Sequence, residues 1–285
     1  MGQALSIWSN PLPVIEVPTN GTYEFTEGPL LPGQRIVGGH EADPYKYGYQ
    51  ACVTDKANFY CGGSIIKDNI VLTAAHCMLS NRLLVIVGQH NLRQYESSRQ
   101  EIRVLRSYPH PHYGKQGGGI FADIVILKLE KKIKFNDKVF PIQLPDLNVE
   151  TNMPVVVTWG ELVKSIENPK ASGLQVMKST ILPYYECLKH YGYADVFCAI
   201  APRQDVSACS GDSGGPAMSD DILIGVVSFA VEDCPPRYSQ AFINLYYHRE
   251  WLMETIEKAL MNEMFDVRPP SKKPTTTTTT TTTKK

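Results

Sequence analysis

From residue 36 onward the chain alternates short, largely apolar runs with turn-forming residues, and this pattern limits the fold more than any other feature. Five of the runs are residues 63–66, 83–87, 124–129, 155–157 and 222–227. Runs of this length suit strands better than helices. Many short strands at close spacing are typical of an antiparallel β-barrel or a β-sandwich. The sequence therefore predicts an all-β architecture and leaves barrel and sandwich both open.

Residues 248–262 carry a helical pattern instead. Their apolar side chains recur at spacings of three and four, at Trp251, Leu252, Ile256, Leu260 and Met261. That spacing predicts one amphipathic C-terminal helix. Residues 263–285 end in nine threonines and two lysines. Such a composition cannot build a core, so it predicts a disordered tail.

The composition is that of an ordinary soluble globular chain. The 285 residues are 43% hydrophobic and 20% charged, with a net charge of -1. The sequence has no basic patch of the kind that binds nucleic acid. It also has no apolar run that approaches the roughly 20 residues needed for a membrane span. Residues 1–18 show neither the basic start nor the apolar centre of a signal peptide.

Four motifs supply the parts of a nucleophilic hydrolase. Ser213 lies in Gly-Asp-Ser-Gly-Gly-Pro, where the glycines let backbone N–H groups face a reacting carbonyl. His76 lies in Thr-Ala-Ala-His-Cys, and Asp123 heads an apolar run. Arg35 is followed by Ile-Val-Gly-Gly, which would become a new apolar N-terminus after cleavage. A serine hydroxyl is a weak nucleophile near neutral pH, so it needs a base within hydrogen-bond reach and an acid that orients the base.

Together these motifs, in the order His, Asp, Ser, resemble the chymotrypsin-like (trypsin-fold) serine endopeptidases over roughly residues 36–262. The resemblance implies two packed six-stranded antiparallel β-barrels, with the site in the cleft between them and the C-terminal helix on the second barrel. It implies a triad in which Ser213 is the nucleophile, His76 the general base and then acid, and Asp123 the carboxylate that orients the imidazole. The expected domains are a pro-segment at 1–35, a protease domain at 36–262 and the tail at 263–285.

The resemblance also implies an oxyanion hole and an activation switch. Backbone N–H groups of Gly211 and Ser213 would bind the negative oxygen of the tetrahedral intermediate. Cleavage after Arg35 would free the α-amino group of Ile36, which would insert and pair with the carboxylate of Asp212. No Lys or Arg precedes Arg35, so we expect a zymogen that an Arg-specific protease activates.

The predicted substrate pocket departs from the trypsin pattern. Ser207 stands six residues before the nucleophile, where trypsin-like members carry an aspartate that pairs with a substrate Lys or Arg. Ser228, Phe229 and Ala230 match the strand that binds the substrate backbone, with Ala230 in place of the usual glycine. Gln240 replaces a glycine of the second pocket wall. Because a buried substrate cation would have no partner, we expect a small pocket, apolar or polar, that disfavours Arg and Lys.

Six of the seven cysteines stand where the family places disulfides. The resemblance implies the pairs Cys61–Cys77, Cys187–Cys198 and Cys209–Cys234. Such bonds need an oxidising compartment, which predicts a secreted protein. The seventh, Cys52, is either a buried free thiol or a partner for a cysteine of another chain.

No cofactor and no metal is expected. Gln89 and Arg99 stand where calcium-binding members of the family carry carboxylates, and a guanidinium repels calcium. The expected partners are protein or peptide substrates, the activating Arg-specific protease and protein protease inhibitors, and the expected state is a monomer.

A second interpretation assigns the chain to a different functional class. If the Gln240 side chain fills the pocket, the triad is intact but unused, and the protein is a catalytically weak homologue with a binding or regulatory role. A third rests on Met1 and Gly2, which fit a myristoylation pattern. A cytosolic lipid anchor conflicts with three disulfides, so we disfavour it.

Overall fold

The computed structural model describes residues 40–55, 60–78, 80, 82–91, 94–114, 121–159, 173–201, 213–229 and 240–265. The chain divides into two compact units, Met1–Gln34 and Arg35–Lys285, and every described residue belongs to the second. Its strands are β1 His40–Glu41, β2 Gln50–Thr54, β3 Tyr60–Lys67, β4 Ile70–Thr73, β5 Leu84–Val87, β6 Gln100–Pro109, β7 Val125–Leu129, β8 Pro154–Trp159, β9 Gln175–Ile181, β10 Val196–Ile200, β11 Pro216–Ser219, β12 Ile222–Phe229 and β13 Gln240–Asn244. Its helices are a 3₁₀ turn at Ala75–Cys77, α1 at Tyr184–Tyr191 and α2 at Arg249–Phe265.

The first barrel closes six antiparallel strands in the order β2-β3-β4-β7-β6-β5. Strands β4 and β7 are buried along their whole length. Thr73 at the end of β4 pairs with Val125 at the start of β7. The loop that follows β4 and the loop that precedes β7 therefore lie at the same end of the barrel.

The second barrel is built from β9-β10-β13-β12-β11-β8 and closes because β8 also pairs with β9. The short β1 adds to the edge of β9, with His40 opposite Val176. Phe197 of β10 and Phe242 of β13 stack at 5.1 Å between ring centroids in the barrel core. The predicted all-β class with two packed six-stranded barrels and a C-terminal helix is confirmed.

The two α-helices differ from the sequence prediction: α2 packs elsewhere than expected, and α1 is an additional helix. The predicted C-terminal helix is α2, but it packs against β7 of the first barrel, whereas packing on the second barrel is expected from the sequence. Its Leu252 and Ile256 are buried, whereas Met261, an expected member of the apolar face, is exposed. The helix α1 was not predicted, since its eight residues have no side-chain N-terminal cap. It ends at Gly192, whose left-handed backbone lets its N–H reach the Leu188 carbonyl.

Candidate active site

His76 and Asp123 meet at the end of the first barrel where the loops after β4 and before β7 converge. The imidazole Nδ1 of His76 lies 2.7 Å from Asp123 Oδ2, and the His76 backbone N–H donates to Asp123 Oδ1 at 2.9 Å. The Asp123 carboxylate is 3% exposed and the His76 ring 35% exposed. Because a carboxylate oxygen accepts the bond, Nδ1 carries its proton, and Nε2 is the ring nitrogen that can act as a base.

A third donor reaches the same carboxylate from the second barrel. The hydroxyl of Ser228, near the end of β12, donates to Asp123 Oδ2 at 2.6 Å, and Ser228 is buried. The sequence pattern predicts only that Ser228 lies on the strand that binds substrate. No local pattern could reveal its bond to Asp123, which lies 105 positions away. Donors from the loop after β4 in the first barrel and from β12 in the second thus converge on one buried acid.

Ser213 lies beside the histidine loop. The backbone carbonyl of Ser213 accepts the Gly62 N–H at 2.8 Å and lies 3.7 Å from Cys77 Sγ. The disulfide removes the thiol proton of Cys77, so the sulfur makes a packing contact and no hydrogen bond. The next residue, Gly214, donates to the carbonyl of Val227 at 2.7 Å. These bonds fix the serine segment between the two barrels.

Gly214 shows why this junction tolerates no side chain. Its φ is +82°, in the region that favours glycine, and a Cβ there would lie 2.6 Å from the Gly62 carbonyl oxygen and closer still to Thr73 Oγ1. The Thr73 hydroxyl itself donates to the Gly62 carbonyl at 2.7 Å. Glycine at 214 therefore lets the serine segment pack closely against Thr73 at the end of β4, the strand that precedes His76.

Gln240 opens β13 and is 3% exposed. Its Nε2 lies 3.9 Å from the sulfur of Met177 in β9, and its Oε1 is buried with no hydrogen-bond partner among the described residues. Phe242, two residues on and therefore on the same face of β13, belongs to the core of the second barrel. The amide of Gln240 is therefore buried, and among the described residues no donor uses its oxygen.

Several predicted site residues lie outside the described residues. They are Arg35, Ile36, Ser207, Cys209, Gly211, Asp212, Ala230 and Cys234. The backbone of Phe229 ends β12. The oxyanion hole, the activation pair and most of the pocket therefore stay predictions.

Two disulfides are present within the described residues. Cys61–Cys77 ties β3 to the 3₁₀ turn that carries His76, and Cys187–Cys198 ties α1 to β10. These are two of the pairs that the resemblance implies. Cys52 is a free cysteine, and burial raises the pKa of its thiol to about 12, although nearby Arg99 opposes the shift. The thiol is therefore protonated near neutral pH and poorly reactive.

The side chains of Gln89 and Arg99 donate hydrogen bonds to other groups of the segment in which they lie. Gln89 Nε2 donates to the carbonyls of Asn91 and Gln94, both at 2.6 Å. Arg99 bonds to Gln89 Oε1 and to the carboxylate of Glu101. Calcium needs several oxygen ligands free to face it. Here an amide and a guanidinium already use oxygens of this segment, an arrangement unfavourable for calcium.

Glu96 completes the same segment. Its carboxylate accepts the backbone N–H groups of His90 at 2.9 Å and Asn91 at 2.8 Å, and the hydroxyl of Tyr45 at 2.8 Å. Burial raises the pKa of Glu96, but these three hydrogen bonds outweigh it and hold the pKa below its usual range.

Elsewhere, Cys61, His76 and Cys77 bring three potential metal ligands together, but the disulfide leaves no thiolate to bind an ion.

Comparisons with known proteins agree with this geometry. The family model described as Trypsin matches residues 36–252. Granzyme-like protein 1 of Rattus norvegicus is 34% identical over 81% of this chain and 95% of its own length. Duodenase-1 of Bos taurus is 35% identical over 70% of this chain and 81% of its own length. The solved structure of neuropsin, a serine protease expressed in the limbic system of mouse brain, aligns with a TM-score of 0.69 and 28% identity over 78% of this chain and all of that one. The chain therefore belongs to the trypsin family, and it is a serine endopeptidase.

None of the described helices combines the length and the apolar character needed to cross a membrane.

Proposed function

We propose that this chain is the secreted zymogen of a serine endopeptidase that works through Ser213, His76 and Asp123 and has a small, non-tryptic primary pocket. The observation that carries the proposal is the hydrogen-bonded pair of His76 and Asp123, held at 2.7 Å beside the Ser213 segment. The buried hydroxyl of Ser228 supports it, because it fixes the carboxylate from the other barrel.

In this proposal the peptide bond is cut in two steps. Ser213 Oγ attacks the carbonyl carbon while His76 Nε2 takes the hydroxyl proton, and Asp123 stabilises the imidazolium that forms. Backbone N–H groups of Gly211 and Ser213 bind the oxyanion. His76 then gives its proton to the leaving amine, so the peptide C–N bond breaks and an acyl-serine ester remains. Water, deprotonated by His76, hydrolyses the ester and restores the serine.

The proposed preference for small substrate side chains depends on the absence of a carboxylate at position 207 of the pocket wall. Ser207 offers no carboxylate for a substrate Lys or Arg, and a buried cation without a partner is costly. Gln240 narrows the wall, and its Oε1 has no partner among the described residues. We therefore propose cleavage after small side chains, including those that can donate a hydrogen bond to this amide oxygen.

Activation and secretion belong to the same proposal. Arg35 is the first basic residue of the chain and directly precedes Ile36. Cleavage there by an Arg-specific protease would release residues 1–35 and let the Ile36 amino group pair with Asp212. The disulfides Cys61–Cys77 and Cys187–Cys198 favour an oxidising compartment, which agrees with secretion. Residues 263–285 lie beyond the proposed protease domain.

A second candidate is a protease homologue with an occluded pocket. Its support is Gln240, which is buried where the second pocket wall is expected. In that case the triad would react with a small probe, but peptides would not be cut.

A cleavage profile on a mixed peptide library tests the proposal. The protein is cut with trypsin between Arg35 and Ile36, trypsin is removed on an inhibitor column, and Ser213→Ala is treated in parallel. Cleavage after small residues that is absent from Ser213→Ala is the expected result. No cleavage, with the Ile36 terminus verified, would favour the occluded homologue.

The variant Gln240→Gly tests the pocket assignment in the same library. A wider wall should admit aromatic residues before the cut. Gln175→Ala is the matched control, because this buried glutamine of β9 donates to the Gly173 carbonyl at 2.9 Å and not into the proposed pocket. An unchanged profile for Gln240→Gly would show that Gln240 does not line the pocket.

A further inference from the structure

Ala122, the residue directly before Asp123, has a backbone that its side chain disfavours. Its φ is +55°, in the left-handed region, and the residue is fully buried. A Cβ makes this conformation unfavourable, so it persists only where the surroundings hold it. The Ala122 carbonyl accepts the Ile124 N–H at 2.7 Å. The direction in which Asp123 leaves the chain therefore depends on what fixes Ala122.

The group that fixes Ala122 is the carboxylate of Asp195. Asp195 Oδ2 accepts the Ala122 N–H at 2.7 Å, from a position 73 residues later in the chain. Asp195 is fully buried just before β10, and its own carbonyl accepts the Asn244 N–H of β13 at 2.8 Å. The holder is thus built into the second barrel, whereas Asp123 enters the first.

His248 sets the orientation of Asp195. Its Nε2 lies 3.0 Å from the same Oδ2 atom, and both residues are buried. Since that oxygen only accepts, Nε2 carries the proton of this bond. Asp195 Oδ1 has no hydrogen-bond partner among the described residues. Both donors therefore act on one oxygen, which aims the carboxylate at the Ala122 backbone.

We propose that Asp195, oriented by His248, is a positioning residue that holds Ala122 in its left-handed conformation and thereby aims the Asp123 carboxylate at His76. This inference rests on the proposed triad. A buried pair that only stabilised the fold could be replaced by apolar residues of similar size without altering turnover or the bond between His76 and Asp123.

The test compares two replacements of Asp195 in the full chain. Asp195→Leu combined with His248→Phe removes the acceptor for Ala122 without leaving an unpaired charge, so it should disturb the fold less than removal of one partner alone. Asp195→Asn is the conservative variant, because its amide oxygen can still accept from Ala122. Folding is checked by near-ultraviolet circular dichroism, and kcat and KM are measured after cleavage at Arg35.

A second readout does not need hydrolysis. In a proton NMR spectrum, the Nδ1 proton of His76, which is held against Asp123, should give a resonance downfield of the amide protons. The resonance is assigned by labelling histidine with ¹⁵N and by its absence from the variant His76→Ala. We expect the Leu–Phe double variant to lose this resonance and about ten- to hundredfold in kcat with little change in KM, because small misplacements of catalytic groups cost this much. Asp195→Asn should keep the resonance and most of kcat.

Two results would overturn the inference. One is a folded double variant with the wild-type resonance and wild-type kcat. The other is a loss in Asp195→Asn as large as in the double variant, because charge and not the hydrogen bond to Ala122 would then matter. If the wild-type protein hydrolyses nothing, the proposed function fails, but the resonance still decides whether Asp195 positions Asp123.

Finally, the variant Ala122→Gly separates positioning from general stability. Glycine adopts a positive φ without a steric penalty. In an Ala122→Gly background we expect the loss of the His76 resonance and of kcat in the double variant to be smaller than in the wild-type background. Strictly additive effects would contradict the role assigned to Ala122.

Discussion

Ser228 is the residue whose removal isolates the support of the catalytic acid. Its hydroxyl donates to Asp123 at 2.6 Å inside the molecule. Ser228→Ala should lower kcat/KM about ten- to hundredfold, because a hydrogen bond to a charged group contributes roughly 1.5–3 kcal/mol. The measurement is steady-state hydrolysis of the best peptide from the library.

Ser219 provides the matched control for that variant. It is also a buried serine of the second barrel, and its hydroxyl has no partner among the described residues. Ser219→Ala should therefore leave kcat/KM unchanged. Equal losses in the two variants would mean that Ser228 affects packing and not the carboxylate.

His110 lies in a group of aromatic rings and makes stability depend on pH. Its ring centroid is 4.8 Å from that of His248 and 4.7 Å from that of Trp251. Burial, together with the nearby His248 and His112, lowers the pKa of His110 from 6.5 to about 4, while Asp195 opposes the shift. Between these two values the unfolded chain binds a proton that the folded chain does not.

The folded protein should lose stability as acid protonates His110. The contribution of neutral His110 to stability is present above pH 6.5 and is lost as the pH falls from 6.5 toward 4. His110→Gln should therefore make the fall in Tm between pH 7 and pH 4 less steep. His40→Gln, at an exposed position of β1, is the control and should keep the wild-type slope. A slope unaffected by His110→Gln would contradict this role for the ring.

At the level of elements, side chains of the segment between β5 and β6 hydrogen-bond to other groups of the same segment. Gln89 Nε2 donates to two backbone carbonyls, and Arg99 bonds to Gln89 and Glu101. We expect Tm and activity to be the same with excess EDTA as with millimolar calcium. A fall in Tm on chelation would show that an ion stabilises the wild-type protein.

A variant that supplies carboxylates to this segment tests the same prediction in the opposite direction. Replacing Gln89 and Arg99 with glutamate supplies two carboxylates beside Glu96 and removes both internal donors. The double variant should be less stable than the wild type in EDTA and should regain Tm as calcium is added. No response to calcium would mean that this segment lacks the geometry of a calcium site.

Four of the five apolar runs named from the sequence coincide closely with strands. Short runs rich in Val, Ile and Leu mark β5, β7, β8 and β12 within two residues of their observed ends. Helix α1 was missed because its residues, such as Tyr184 and Tyr185, are exposed and its N-terminus has no side-chain cap. Its position depends on the disulfide to β10, a tertiary constraint that periodicity does not contain.

At the scale of the whole molecule, the site depends on contacts between the two barrels. Thr158 Oγ1 of the second barrel donates to Gln50 of the first at 2.6 Å, and the Gly62 N–H reaches Ser213. The motifs predicted the pair of His76 and Asp123, which are hydrogen-bonded, whereas the role of Ser213 as their nucleophile stays a prediction. The supports of Asp123 were not predictable, since Ser228 and Asp195 come from distant parts of the chain.

We expect cleavage after Arg35 to make Ser213 a nucleophile that His76 activates. The most direct measurement is mass spectrometry after reaction with a fluorophosphonate, which loses fluoride as its phosphorus bonds to the serine oxygen. Cleaved wild-type protein should carry one phosphonyl group, on Ser213. The reaction should be at least about 10⁴-fold slower in His76→Ala and should be absent on the same timescale from Arg35→Gln. An adduct at another residue, or none in protein with a verified Ile36 terminus, would contradict the claim.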